Sequence, residues 1–169
     1  MPPLRSAAAL LLVAIVLGAA GCGGSSGPSQ EDRQSEQRWR TGFGRWGNDM
    51  VAALNGISVL FSNPSFVDRL QRGDARTSAR LATYERRLDT CGSRVRALGD
   101  APEALAQARE DALRACVLLE RGSRQVRRGV TEWQGGRGID GIDAATNTLG
   151  VAQDEIQRAR GELGSAPDE

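Results

Sequence analysis

The chain has 169 residues, with 22 Arg and no Lys against 21 acidic residues, no His, and aromatics at only 4%. That length, less a leader, bounds one domain with a modest core. Without His the commonest general base and the commonest metal ligand are both missing, which excludes Ser-His and Cys-His nucleophile pairs and any His-bearing metal site.

The first 22 residues have the anatomy of a secretory leader. Arg5 gives a positive start, and Ala7 to Leu17 form an apolar run too short for a stable membrane span. Small residues follow and end in Leu17-Gly18-Ala19-Ala20-Gly21-Cys22. This ending resembles the lipobox of bacterial lipoproteins, although Ala19 stands where that family usually has Leu. The resemblance covers the leader alone. It implies cleavage before Cys22, a thioether link from Cys22 to diacylglycerol, and N-acylation in many species. It therefore implies a membrane anchor facing the extracytoplasmic side. Ordinary cleavage after Ala20 at a small-x-small pattern is the alternative. Cysteine arithmetic favours the lipid. Three cysteines in an exported chain leave one odd thiol, and lipid on Cys22 leaves Cys91 and Cys116 as an even pair in an oxidising compartment. Two acyl chains would anchor stably where one would be marginal.

The organisation expected from these readings is a signal peptide over 1–21, a lipidated Cys with a flexible tether over 22–30, a bundle over 31–164 and a disordered tail over 165–169. The Gly/Ser-rich tether gives a reach on the order of 15 Å.

The first helix is expected from about Glu31 to Phe61, on the stripe Trp39, Phe43, Trp46, Met50, Ala53, Ile57 and Leu60. Gly42, Gly44 and Gly47 interrupt it, at about 1 kcal/mol each relative to Ala. The aromatic trio reads either as bundle core or as a ligand-facing patch on a loosened backbone. Asn63-Pro64 ends this helix. Phe66 to Gly73 suggests a short helical turn, with Asn63 or Ser65 as cap, and Asp74 then caps a second long helix. Its stripe is Leu81, Tyr84, Leu88, Cys91, Val95 and Leu98.

A third helix is expected from Asp100–Glu103, with a capping box between those two residues, to about Trp133. Gly122 and Gly129 are its soft spots. Arg121, Arg124, Arg127 and Arg128 crowd its last turns, either as favourable charge at a helix C-terminus or as an anion-binding patch. Gly135 to Gly138 is a loop without the flanking motif of a phosphate site, and Asp140 to Asp143 is too short for a calcium loop. Asp140 or Asp143 is expected to cap a fourth helix. Its heptad is the cleanest in the chain, with Ile142, Leu149, Ile156 and Leu163 separated by Ala145, Ala152 and Ala159.

These elements predict an all-α, antiparallel four-helix bundle of up-down-up-down topology. Cys91 and Cys116 face one seam and predict a disulfide-linked helical hairpin. Cys91 lies seven residues before Leu98 and Cys116 thirteen after Glu103, an axial mismatch of roughly 9 Å if both helices ended level. Residues 99–103 are therefore expected to run extended. Redox activity is disfavoured by the absence of Cys-x-x-Cys spacing.

Charge is unevenly spread. Residues 69–128 hold 14 Arg and 8 acids, and residues 130–169 hold 3 Arg and 8 acids. The tail helix then packs on the hairpin with complementary charge, or the basic middle meets anionic lipid or wall polymer. Export and near-neutral net charge argue against nucleic acid. Paired carboxylates such as Glu110-Asp111 and Asp154-Glu155 read as solvated faces. No cofactor, metal or catalytic residue is expected. The expected function is a membrane-anchored, non-catalytic module that binds or scaffolds an envelope protein or cell-wall partner. The alternatives are a small-ligand or lipid carrier using a cavity near Trp39, Phe43 and Trp46, and an envelope hydrolase using carboxylates alone.

Overall fold

The computed structural model describes residues 29–165. The expected signal peptide, Cys22 with most of its tether, and the tail from residue 166 lie outside the described residues. Among the described residues there are six α-helices and no strand: α1 (Gln30–Phe61), α2 (Pro64–Gln71), α3 (Ala75–Asp89), α4 (Cys91–Arg96), α5 (Ala106–Gln134) and α6 (Asp140–Ser165). A single 3-10 turn, Glu103–Leu105, precedes α5.

Helix α1 starts inside the expected tether. Ser29 caps it through a capping box, its hydroxyl accepting from the Asp32 N–H at 3.1 Å while Asp32 accepts from the Ser29 N–H at 3.0 Å. The expected stripe of α1 is buried as a unit, Trp39 through Leu60. Asn63 ends α1 and caps α2, accepting from the Phe66 N–H at 3.2 Å, with Pro64 in the first position. The short turn expected at Phe66 is thus a full two-turn helix, bent off α1 by 82°. Gly73, in the left-handed region at φ 74°, reverses the chain, and Asp74 caps α3.

The long helix expected from Asp74 to Leu98 is two helices, broken at Thr90. The Thr90 hydroxyl donates to the Arg86 carbonyl at 3.0 Å and the Arg87 carbonyl at 3.2 Å, and its backbone sits at φ −96°, ψ 5°. The same back-bond at Thr41, Thr83 and Thr148 leaves their helices unbroken, so by itself it does not account for the break.

The capping box expected of Asp100 and Glu103 is not formed. Gly99 turns left-handed at φ 80°, Pro102 is extended at φ −51°, ψ 150°, and no side chain caps the 3-10 turn. This non-helical stretch shifts the start of α5 along the bundle and brings Cys91 and Cys116 level, Cα to Cα 5.2 Å, as a disulfide.

Contacts fix the directions. Gly42 faces Leu98 and Asp49 pairs with Arg94, so α1 runs against α3 and α4. The disulfide and the Asp89–Arg127 pair set α3 and α4 against α5. Arg40 donates to the Leu163 carbonyl and Gly47 faces Arg160, so α6 runs against α1.

The most extensive pairing is between α5 and α6, also antiparallel. Ala145, Ala152 and Ala159 are fully buried in it, the close approach that the alanine heptad predicts. Gly122 and Gly129, expected as soft spots, are the partner surface. A Cβ on Gly129 would lie 2.8 Å from backbone atoms of Gly141 and Ile142, so only glycine fits. Asp111, read as a solvated face, is 1% exposed, pairing with Arg114 and accepting from Gln107 Nε2 at 2.9 Å.

Candidate functional site

The aromatic trio is core. Trp39 stacks on Phe43 with ring centroids 4.8 Å apart, and Phe43 meets Trp46 at 4.9 Å. All three are buried. The indole N–H groups of Trp39 and Trp46 have no acceptor among the described residues, so shape and stacking hold the trio. Trp39 alone borders a surface cleft, between Ser35 and Arg38 of α1 and Ala97, Leu98 and Asp100 beyond α4.

The arginine quartet divides. Helix α5 ends at Gln134, within a residue of the expected end, and no Arg lies in its final turn. Arg127 is an internal tie that reaches Asp89 at 2.7 Å, donates to the Ser123 hydroxyl at 2.9 Å, and lies 3.9 Å from Glu85. Arg128 is bound to Glu132 on its own helix at 2.9 Å. Arg121 and Arg124 are exposed and carry no ion pair among the described residues. The four do not converge on one anion site.

Glu85 sits beneath Arg127 and is 5% exposed. Burial pushes its carboxyl above the usual glutamate range. The Arg127 guanidinium opposes that shift, and the Asp89 charge adds to it. Its Oε1 has no hydrogen-bond partner among the described residues. Neither Glu85 nor Asp111 belongs to a convergent carboxylate pair in a cleft, and among the described residues no group of three or more His, Cys, Asp or Glu could hold a metal ion.

A further concavity among the described residues contains none of the residues expected to form a site. It is a groove of about 430 Å³ where α1 and α6 diverge. Leu54, Ile57 and Phe61 of α1 form one wall, Ile142 and Leu149 of α6 the other, and the buried Val126 of α5 lies between. Ser58, Ser62, Thr146, Gln153 and Asp143 supply polar groups. The two helices touch at the opposite end, through Arg40 with Leu163 and Gly47 with Arg160, and the groove opens at the other. Ile57, Ile142 and Leu149 occupy stripe positions that read as mutual packing. The one local signal is Gly150, a mid-helix glycine with open space where a Cβ would be.

No family model matches this chain, no curated protein matches it, and no solved structure matches it.

Proposed function

We propose that the mature chain is a lipid-anchored, extracytoplasmic helical bundle that binds an envelope partner without catalysing a reaction. The observation that carries this reading is the Cys91–Cys116 disulfide, buried at 0% and 2% exposure. It consumes two of the three cysteines and leaves Cys22 as the odd one, at the end of the lipobox-like stretch. Such bridges persist in oxidising compartments. The antiparallel helix pairs support an up-down-up-down bundle of four rods, with α3 and α4 as one interrupted rod and α2 as a corner. The absence of His from the sequence supports the non-catalytic part.

Mass spectrometry of the mature N-terminus tests the anchor. Diacylglycerol on Cys22 is the expected result, and an unmodified terminus at Gly21 would refute it. The groove favours a second reading, a carrier of a small apolar ligand or lipid, because its volume is that of small-molecule sites. Gly150→Trp fills the groove from α6. Native mass spectrometry of protein from membranes should show a bound small molecule that this variant lacks, and an identical, ligand-free spectrum for both would sink the carrier.

A further inference from the structure

Helices α2 and α3 fold back on each other around Gly73 and enclose a cleft of about 340 Å³. Three guanidinium-bearing side chains line it, Arg69 from α2 and Arg76 and Arg80 from α3. None of the three has a carboxylate within ion-pair distance among the described residues, whereas Arg94, Arg114, Arg127, Arg128 and Arg158 all do. The acid lining the cleft is Asp74, whose charge acts on Arg69 and Arg76 and whose oxygens cap α3. It accepts from the Thr77 N–H at 2.8 Å and the Thr77 hydroxyl at 2.6 Å in capping α3. The cleft therefore holds three positive charges against one carboxylate, an excess of two. Like charges at i and i+4, as Arg76 and Arg80 are, repel unless a counter-charge comes from elsewhere.

The walls are held in place before any ligand arrives. Asn63 caps α2, Asp74 caps α3, and Gln134 of α5 donates to the Leu70 carbonyl at the end of α2. Phe66, 2% exposed, gives the cleft an apolar floor. The helices that present these charges are thus ordered, while the three exposed Arg side chains lose rotamer freedom on binding. A tetrahedral anion can accept planar guanidinium forks from three directions at once, which the two oxygens of one carboxylate cannot.

We propose that Arg69, Arg76 and Arg80 form a binding site for multivalent phosphate groups. The site lies at the far end of α1 from the N-terminal tether, about 48 Å away for a helix of 32 residues. It is therefore open to soluble or polymeric phosphate as well as to a lipid headgroup.

The test uses the purified full chain in mild detergent with the disulfide formed. Tripolyphosphate is titrated by calorimetry at fixed low salt, and vesicles of phosphatidylglycerol or phosphatidylcholine are added in a co-sedimentation arm. The triple variant Arg69→Gln/Arg76→Gln/Arg80→Gln should lose at least tenfold in affinity. A control of equal charge change, Arg121→Gln/Arg124→Gln/Arg137→Gln, should lose less than twofold. Triple replacement by Lys keeps the charge but removes the forks, and should fall between. In the wild-type chain the amide signals of Arg76 and Thr77 should shift on titration, which reads the site without relying on a variant. Tripolyphosphate binding that follows this order assigns a soluble phosphate. Binding of phosphatidylglycerol vesicles alone, in the same order, assigns a phospholipid headgroup. Equal losses in the pocket and control variants, or no binding in either arm, overturn the site.

Discussion

Glu85 is an acid set into a helical stripe otherwise made of Leu81, Tyr84 and Leu88, and the packing of α3 on α5 buries it. Its nearest cation, Arg127, is shared with Asp89 and lies closer to Asp89. Desolvation therefore outweighs attraction, and the folded carboxyl titrates above its usual range. The sign of the stability effect follows from linkage. Between the unfolded and the folded pKa the native state holds the extra proton, so the contribution of Glu85 is present at acid pH and is lost as pH rises through the folded value. Asp32, Asp74 and Glu132, held low by Ser29, Thr77 and Arg128 in turn, act in the opposite direction. The clean readout is thus a difference. Glu85→Gln should gain stability relative to the wild type as pH rises from about 4, in denaturant midpoints taken at a series of pH values. Parallel curves would show that Glu85 titrates normally in the fold. The stripe periodicity gave no warning of this buried acid, because helical spacing fixes which face a residue occupies but not whether water reaches that part of the face.

At the scale of helices, the glycines separate into two kinds that sequence alone treats as one. Gly129 of α5 meets the backbone of Gly141 and Ile142, and an added methyl has no room. Gly150 of α6 faces the open groove, with nothing within 4 Å of a Cβ. Gly129→Ala should destabilise the fold by about 1–3 kcal/mol through overpacking. Gly150→Ala should stabilise it by about 0.5–1 kcal/mol through helix propensity. Chemical denaturation of the two variants beside the wild type decides, and the same sign for both would contradict this account of the α5–α6 seam. Propensity lowers confidence in any helix interrupted by glycine, and only the partner surface distinguishes a close contact from a weak point. The alanine heptad of α6 was legible because it carries its own spacing. The break at Thr90 was not, since Leu88, Cys91 and Val95 keep a three-and-four spacing across it. The groove was hidden for a related reason, because divergence of two helices leaves no trace in either stripe. The arginine cleft joins residues on both sides of the Gly73 reversal, and no single helical face contains all three.

For the molecule as a whole, the question is what holds the region between α3 and α5 against the rest. Helix α4 has six residues, too few to be stable alone, and the connection to α5 contains no helix until the 3-10 turn at Glu103. The core that α4 joins is modest, with few aromatics in the sequence. Its ties are Val95 in the core, the Arg94–Asp49 pair reaching α1, and the bridge from Cys91 to Cys116. The pair to Asp49 is partly exposed and contributes little. The bridge closes a loop of 25 residues, for which the loss of unfolded-chain entropy stabilises the fold by about 3–4 kcal/mol. Cys91→Ala/Cys116→Ala should therefore lower the denaturation midpoint by an amount corresponding to that figure. Amide exchange should show where the loss begins. Val95, Leu98 and Leu105 are expected to lose protection first, while Ala152 and Ile156 in the α5–α6 seam stay protected until global unfolding. Uniform loss across both regions would mean that the bridge acts on the whole bundle rather than on α4, and an unchanged midpoint would mean that packing alone holds this region.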